Sequence, residues 1–191
     1  MKPVQLFESW YDEELQLTTA NVPSACCLST IGLDGYPNAR FVSLKEVVDE
    51  SFVVTGPLSS RKGLEIDYTN KVALTFWWTV TERQVRIQGD ATKISGTLAD
   101  KYFGDRGIES QIVSFVSDQG KEMISIDVLN DKYENALAMF MHKPVIRPAN
   151  WGGYFITPVR IEFLEFKSTR FHDRKLFEWV NEAWTMTQLQ P

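Results

Sequence analysis

The chain of 191 residues suits one ordinary globular domain, and we expect residues 1–191 to form a single domain. Its formal net charge of −5 argues against general attraction to nucleic acid or to an anionic membrane surface. No apolar stretch approaches the roughly 20 residues that a membrane-spanning helix needs, and the chain begins without a basic apolar leader. We therefore expect a cytoplasmic protein with no nucleic-acid or membrane partner.

Hydrophobic spacing predicts an opening helix followed by several strands. Apolar residues recur at helical intervals over residues 4–17, which is typical of an amphipathic helix. Extended segments over 24–31 and 40–48 flank a glycine-containing turn and predict a hairpin. Further β-rich segments lie at 51–55, 71–78 and 83–94, with a short helix predicted over 64–68.

The second half of the chain returns from helices to strands. The spacing predicts helices over 97–115 and 126–140 and strands over 152–166 and 171–189. Six or more antiparallel strands flanked by helices predict a mainly β, barrel-like α+β domain. Cys26 and Cys27 are adjacent, so they can hardly pair with each other and lack zinc-site spacing; we interpret both as buried strand residues.

Residues 59–63, which read S-S-R-K-G, are the most informative local feature. Arg61 and Lys62 precede the short predicted helix, and two cations at a helix N-terminus oppose the positive end of the helix dipole. A phosphate would resolve this conflict by accepting bonds from backbone N–H groups, hydroxyls and both cations. A solvated charged turn is the alternative.

Two further clusters offer oxyanion-binding groups. Arg40 and Lys45 are five residues apart, so an extended strand would direct them to opposite faces and to two neighbouring sites. Tyr102, Arg106 and Ser110 supply a phenol, a guanidinium and a hydroxyl from one helix and its following turn. Surface charges on an edge strand would explain the first cluster equally well.

A basic cluster near the C-terminus includes one of the two histidines. Strand alternation would place Arg170, His172 and Arg174 on one face, where they could meet a ligand. A lone histidine is more often a structural hydrogen-bonding residue than a catalytic one.

Taken in order, these clusters resemble the pyridoxamine 5'-phosphate oxidase family. The resemblance rests on R-F-V-S-L-K, S-R-K-G, E-R-Q-V-R-I, K-Y-F-x-x-R-x-x-x-S-Q-I, W-G-G-Y, R-F-H-D-R and the terminal L-Q-P, and runs from about Leu6 to Pro191. It implies an FMN-binding split barrel, an antiparallel Greek-key-like barrel flanked by helices. It also implies a homodimer with FMN at the subunit interface.

The resemblance assigns roles to individual positions. The implied FMN contacts are Arg40, Thr55, Arg61, Lys62, Gln84, Gln119 and Arg174. The implied contacts to a substrate phosphate are Lys45, Tyr102, Arg106 and Ser110. Arg170 and His172 correspond to the catalytic residues beside the substrate ring, and no metal is implied.

The activity implied by the resemblance is oxidation of pyridoxamine or pyridoxine 5'-phosphate to pyridoxal 5'-phosphate. Hydride would pass from the substrate C4' carbon to FMN, with O2 as the final acceptor. Leu164 stands where the family usually has Trp, and a further N-terminal segment that closes over the substrate has no counterpart before Leu6. An FMN enzyme acting on another small substrate, or a non-catalytic FMN- or pyridoxal-phosphate-binding homologue, remains an alternative.

Overall fold

A computed structural model describes residues 2–191, whose strands form one eight-stranded antiparallel sheet. The helices are α1 (Pro3–Leu17), α2 (Arg61–Tyr68), α3 (Gly96–Gly104), α4 (Ile108–Val116) and α5 (Ile126–Met139). The strands are β1 (Ala25–Ile31), β2 (Pro37–Val48), β3 (Ser51–Pro57), β4 (Lys71–Trp78), β5 (Arg83–Lys93), β6 (Trp151–Glu165), β7 (Asp173–Val180) and β8 (Ala183–Leu189).

The first six strands close into a barrel. The sheet order is β3-β2-β1-β4-β5-β6-β7-β8, and β3 also pairs with β6, for example at Thr55 opposite Gly153. This second pairing removes the free edges that an open six-stranded sheet would expose. The hairpin of β7 and β8 extends the sheet from β6 outside the closed ring. The expected mainly β, antiparallel barrel with flanking helices is confirmed.

Side-chain alternation along β3 separates two hydrophobic cores. Phe52 and Val54 belong to the barrel core, whereas Val53 belongs to the core beneath the helices. Phe7 of α1 packs into the barrel core, with its ring centroid 4.8 Å from that of Phe52 and 4.9 Å from that of Phe76. The opening helix thus contributes one of the most deeply buried side chains of the barrel.

The expected helix over residues 97–115 is in fact two helices. α3 ends at Gly104, and α4 begins after Gly107, which occupies its N-cap position. Glycine disfavours a helix interior because it loses the most backbone freedom on folding, so two glycines three residues apart favour a break. On either side of the break, α3 contacts β6 and α4 contacts α5.

The other sequence expectations concern the cysteines and the membrane. Cys26 is buried and Cys27 half-buried on β1, and both are free thiols. Burial raises the pKa of the Cys26 thiol to about 12, which keeps it protonated and unreactive. Within residues 2–191, no helix is both long enough and apolar enough to cross a membrane.

Candidate active site

A cleft of about 530 Å³ opens between β2, β3, the start of α2, and α4 with the loop that follows it. Its lining includes five cations and no carboxylate among the described residues, although the chain as a whole is acidic. The five are Arg40, Lys45, Arg61, Lys62 and Arg106. Such a concentration of one charge attracts ligands that carry more than one negative charge.

The start of α2 is positioned by a close backbone contact. A Cβ atom on Gly63 would lie 1.9 Å from the carbonyl oxygen of Leu58, so only glycine allows the preceding loop to fold against the first turn. This loop places the N-terminus of α2 at the cleft, where Ser60, Arg61 and Lys62 all contribute to the lining. The backbone N–H groups of that first turn add to the positive potential.

Lys62 is a partly buried cation whose hydrogen-bond partners are neutral. Its Nζ donates to Ser60 Oγ at 3.0 Å and to Gln119 Oε1 at 2.5 Å. Burial, followed by the nearby charge of Arg40, lowers the pKa of Lys62 to about 8. An anion bound beside this ammonium would offset both effects, so the site is electrostatically suited to one.

A buried carboxylate organises the two guanidinium groups. Glu65, only 1% exposed, accepts from Arg40 Nη2 at 3.0 Å, Arg61 Nε at 2.8 Å, Thr30 Oγ1 at 2.5 Å and Asn38 Nδ2 at 2.6 Å. Burial raises the pKa of this carboxyl, but these bonds outweigh it and leave the pKa below its usual value. Sequence reasoning missed Glu65, although its spacing of four from Arg61 is that of a pair one helical turn apart and was a usable signal.

A side pocket of about 290 Å³ shares Lys45 and Arg106 with the cleft and adds Tyr102. Burial lowers the pKa of Lys45, and the charge of Arg106 adds to the effect. The Arg106 guanidinium lies 5.1 Å from the ring centroid of Trp151 and donates to Ser114 Oγ at 2.6 Å. Three of the four residues expected to bind a substrate phosphate are therefore neighbours.

The fourth, Ser110, is exposed on α4 and lines neither cavity. Ser114, on the same face of α4, and Ser117, just after the end of the helix, line the cleft instead. Sequence reasoning overlooked both, although their spacing of four and seven from Ser110 places all three on one face of a helix. Thr55 and Gln119, expected to contact FMN, do line the cleft.

The remaining predicted site residues form a second group away from the cleft. Gln84, Leu164 and Arg174 lie side by side across β5, β6 and β7, and Arg174 Nε donates to Glu162 at 2.9 Å. Arg170 and His172 precede β7. None of these residues lines the cleft of its own chain.

The expectation that Arg170, His172 and Arg174 share one strand face is wrong. Arg170 adopts a left-handed conformation with φ of 68° and its N–H donates to Lys167 O, so this segment is a turn. The Nδ1 atom of His172 accepts from the backbone N–H of Lys167 at 3.0 Å, which fixes the imidazole against the turn. β7 begins only at Asp173.

Comparisons with known proteins cover nearly the whole chain. Residues 13–140 match the family model for pyridoxamine 5'-phosphate oxidase, and residues 151–191 match the pyridoxine 5'-phosphate oxidase C-terminal dimerisation region. A pyridoxine/pyridoxamine 5'-phosphate oxidase of Leptospira interrogans is 37% identical over 99% of this chain and 88% of its own. The enzyme of the same name from Legionella pneumophila strain Lens is 38% identical over 99% of this chain and 87% of its own.

Two solved structures share the architecture. PhzG from Burkholderia lata 383, in complex with tetrahydrophenazine-1-carboxylic acid, has a TM-score of 0.94 and 27% identity, covering 100% of this chain and 93% of its own. A pyridoxamine 5'-phosphate oxidase-related, FMN-binding protein from Nostoc punctiforme PCC 73102 has a TM-score of 0.83 and 16% identity, covering 100% and 99%.

The closed barrel and its cationic cleft therefore define a protein of the FMN-binding split-barrel class. Within this class, the chain is about 37% identical to the two pyridoxine/pyridoxamine 5'-phosphate oxidases over almost its full length. The chain belongs to the pyridoxamine 5'-phosphate oxidase family, a family of FMN-dependent oxidoreductases. The family, fold and enzyme class expected from the motifs are confirmed, whereas the roles of individual residues stay predictions.

Proposed function

We propose that this chain, as an FMN-loaded homodimer, oxidises pyridoxamine and pyridoxine 5'-phosphate to pyridoxal 5'-phosphate with O2 as acceptor. The relatives that carry this name support the substrate class. The observation that carries the proposal is the presence of two adjoining cationic subsites, one in the cleft and one in its side pocket. Two such subsites fit two phosphate groups, one on the cofactor and one on the substrate.

The residues around Lys62 fit the phosphate of FMN. Arg61 and Lys62 would hold it with help from Arg40, while Thr55 and Gln119 would contact the rest of the cofactor. Charge-assisted bonds of this kind are shorter and stronger than neutral ones. Bound FMN would supply the redox chemistry, which is hydride transfer from the substrate carbon followed by reoxidation with O2.

The second subsite would orient the substrate. Lys45 and Arg106 offer two cations and Tyr102 a phenol to the substrate phosphate, which fixes one end of the molecule. A ligand held at one end has far fewer orientations available to its ring, so the reacting carbon meets its partner in a productive geometry more often.

We further propose that a second copy of the chain completes each site. The group of Gln84, Arg170, His172 and Arg174 does not line the cleft of its own chain, and it lies on or next to the region that matches a dimerisation model. Phe171, within this group, is 81% exposed and is therefore accessible to a partner subunit. FMN would then lie at the subunit interface, with Arg170 covering the substrate ring and His172 beside it.

The two regions that match family models are also joined within one structural domain. Both matched regions contribute strands to the same sheet, and β6 pairs with β3 and β5 of the barrel as well as with β7. We therefore propose that residues 1–191 act as one domain. Location in the cytoplasm stays a prediction.

The deciding experiment is aerobic incubation of the purified, FMN-loaded protein with pyridoxamine phosphate and, separately, pyridoxine phosphate. We expect pyridoxal phosphate and hydrogen peroxide to appear together. The double variant Arg61→Ala/Lys62→Ala should lose flavin during gel filtration, whereas Lys71→Ala, which changes an exposed cation on β4, should retain it. Absence of both products from the flavin-loaded protein would refute the proposed substrate.

A second candidate is oxidation of a different small cyclic compound. It is favoured by the likeness to the Burkholderia PhzG structure and by Leu164, which stands between Gln84 and Arg174 where the family usually has Trp. Turnover of a cyclic carboxylic acid but not of the phosphorylated vitamers would favour it. Tight flavin binding without turnover of either would identify a non-catalytic homologue.

A further inference from the structure

A β-bulge in β2 brings two successive side chains into one pocket. Leu44 lies opposite Val54 and Val47 opposite Phe52, so three steps along β2 face two along β3. Successive side chains of a regular strand point to opposite faces, but a bulge redirects them. Lys45 and Glu46 consequently both line the side pocket of about 290 Å³.

Glu46 changes the charge of this pocket. Lys101 and Asp105, also in its lining, form an ion pair with 3.8 Å between Nζ and Oδ2 and so largely balance each other. The remaining charged groups are Lys45 and Arg106, with Glu46 opposing them. The pocket therefore presents a net charge of about +1 to a ligand, rather than the +2 that the two cations alone would give.

Glu46 also accepts the hydrogen bond that the Tyr102 hydroxyl would otherwise donate to a phosphate. The carboxylate accepts the O–H of Tyr102, a side chain only 5% exposed and with little freedom to seek another partner. Burial, followed by the hydrogen bond to Glu46, raises the pKa of Tyr102, so the phenol remains a donor rather than an anion. An incoming anion must compete with a charged acceptor for this donor.

We propose that Glu46 is a specificity-determining residue that lowers the affinity of this subsite for a phosphate dianion relative to a singly charged carboxylate. The assignment of the subsite to the anionic group of the substrate rests on the proposed function. Repulsion from Glu46 acts on both ligands but is about twice as large for a dianion at the same distance. A chain with this glutamate therefore discriminates less sharply in favour of phosphorylated substrates.

The test uses the FMN-loaded dimer, in which the cofactor occupies the other phosphate site. Wild type and Glu46→Gln are titrated with inorganic phosphate, followed by 31P NMR, and with acetate, followed by 1H NMR, at about pH 8 where phosphate is mainly a dianion. Gln keeps the shape and can still accept from Tyr102. We expect the dissociation constant for phosphate to fall roughly fivefold, equivalent to about 1 kcal/mol, and that for acetate to fall only about twofold, because the repulsion is about half as large for a single charge.

Glu134→Gln is the matched control, because it makes the same charge change at an exposed position on α5 and should alter neither constant. In turnover, Glu46→Gln should lower KM for pyridoxine phosphate and leave kcat nearly unchanged, since Glu46 contacts the anion subsite only. Unchanged or weaker phosphate binding in Glu46→Gln would overturn the proposal. Tighter phosphate binding without turnover of either vitamer would instead uphold it and refute the proposed function.

Discussion

Lys62 gives a sharp test of how the cleft binds its cofactor. Its pKa of about 8 lies well below the usual lysine value because the ammonium is partly buried and close to Arg40. The FMN phosphate, a dianion above about pH 7, would raise this pKa in the complex. Binding is then linked to proton uptake, so affinity should fall as the pH rises through 8 and the ligand-free lysine loses its proton.

The size of the effect follows from the fraction of Lys62 that is protonated. With a pKa of about 8, this fraction falls from about nine tenths at pH 7 to about one tenth at pH 9, so the dissociation constant for FMN should rise roughly tenfold. Lys62→Met should weaken binding at pH 7 by about 10- to 150-fold, equivalent to a charged hydrogen bond of about 1.5–3 kcal/mol. The variant should also lose the dependence on pH.

The assay is a fluorescence titration of FMN with protein between pH 7 and 9, comparing wild type, Lys62→Met and Lys71→Met. Lys71→Met removes an exposed cation that pairs with Asp90 and should reproduce the wild-type curve. A flat wild-type curve would refute the linkage. A Lys62→Met curve as steep as that of wild type would assign the linkage to another group.

Three other predictions address the second group, the core and the loop before α2. Arg170→Leu should lower turnover while flavin stays bound; unchanged kcat and KM would remove Arg170 from the substrate ring. Phe7→Ala should lower the free energy of unfolding by about 3–5 kcal/mol in a urea titration, while Leu17→Ala, at an exposed position, should cost less than about 1 kcal/mol. Gly63→Ala should destabilise the protein and weaken FMN binding because its Cβ would meet a carbonyl oxygen, whereas Gly104→Ala, with open space around it, should retain wild-type flavin affinity.

Much of the fold followed from local pattern. The predicted strand over 71–78 has the observed bounds, and the opening helix begins only one residue earlier than expected, because both segments have strong periodicity with one buried face. The barrel closure did not follow from periodicity, since the pairing of β3 with β6 joins segments about 100 residues apart. The number of antiparallel strands predicted a barrel-like domain and the family resemblance implied a split barrel, but neither identified the two strands that close it.

The site residues that could be predicted were likewise those with a local sequence signal. Arg61 and Lys62 at a helix start were recognisable because a local dipole argument applies to them. Glu46 was not, because strand alternation places it opposite Lys45 and only the bulge brings the two together. The turn that holds Arg170 escaped prediction because its sequence, S-T-R-F-H-D, contains neither glycine nor proline at the left-handed position.

The buried carboxylate of Glu65 has a consequence for how mutations distribute their effects. Because it already fixes the guanidinium groups of Arg40 and Arg61 in the folded chain, a ligand does not have to immobilise these long side chains, each of which otherwise loses up to about 2 kcal/mol of rotamer entropy. The entropic cost of ordering these two side chains is therefore incurred when the chain folds and not when the ligand binds. A substitution at Glu65 would thus weaken ligand binding, although Glu65 does not line the cleft.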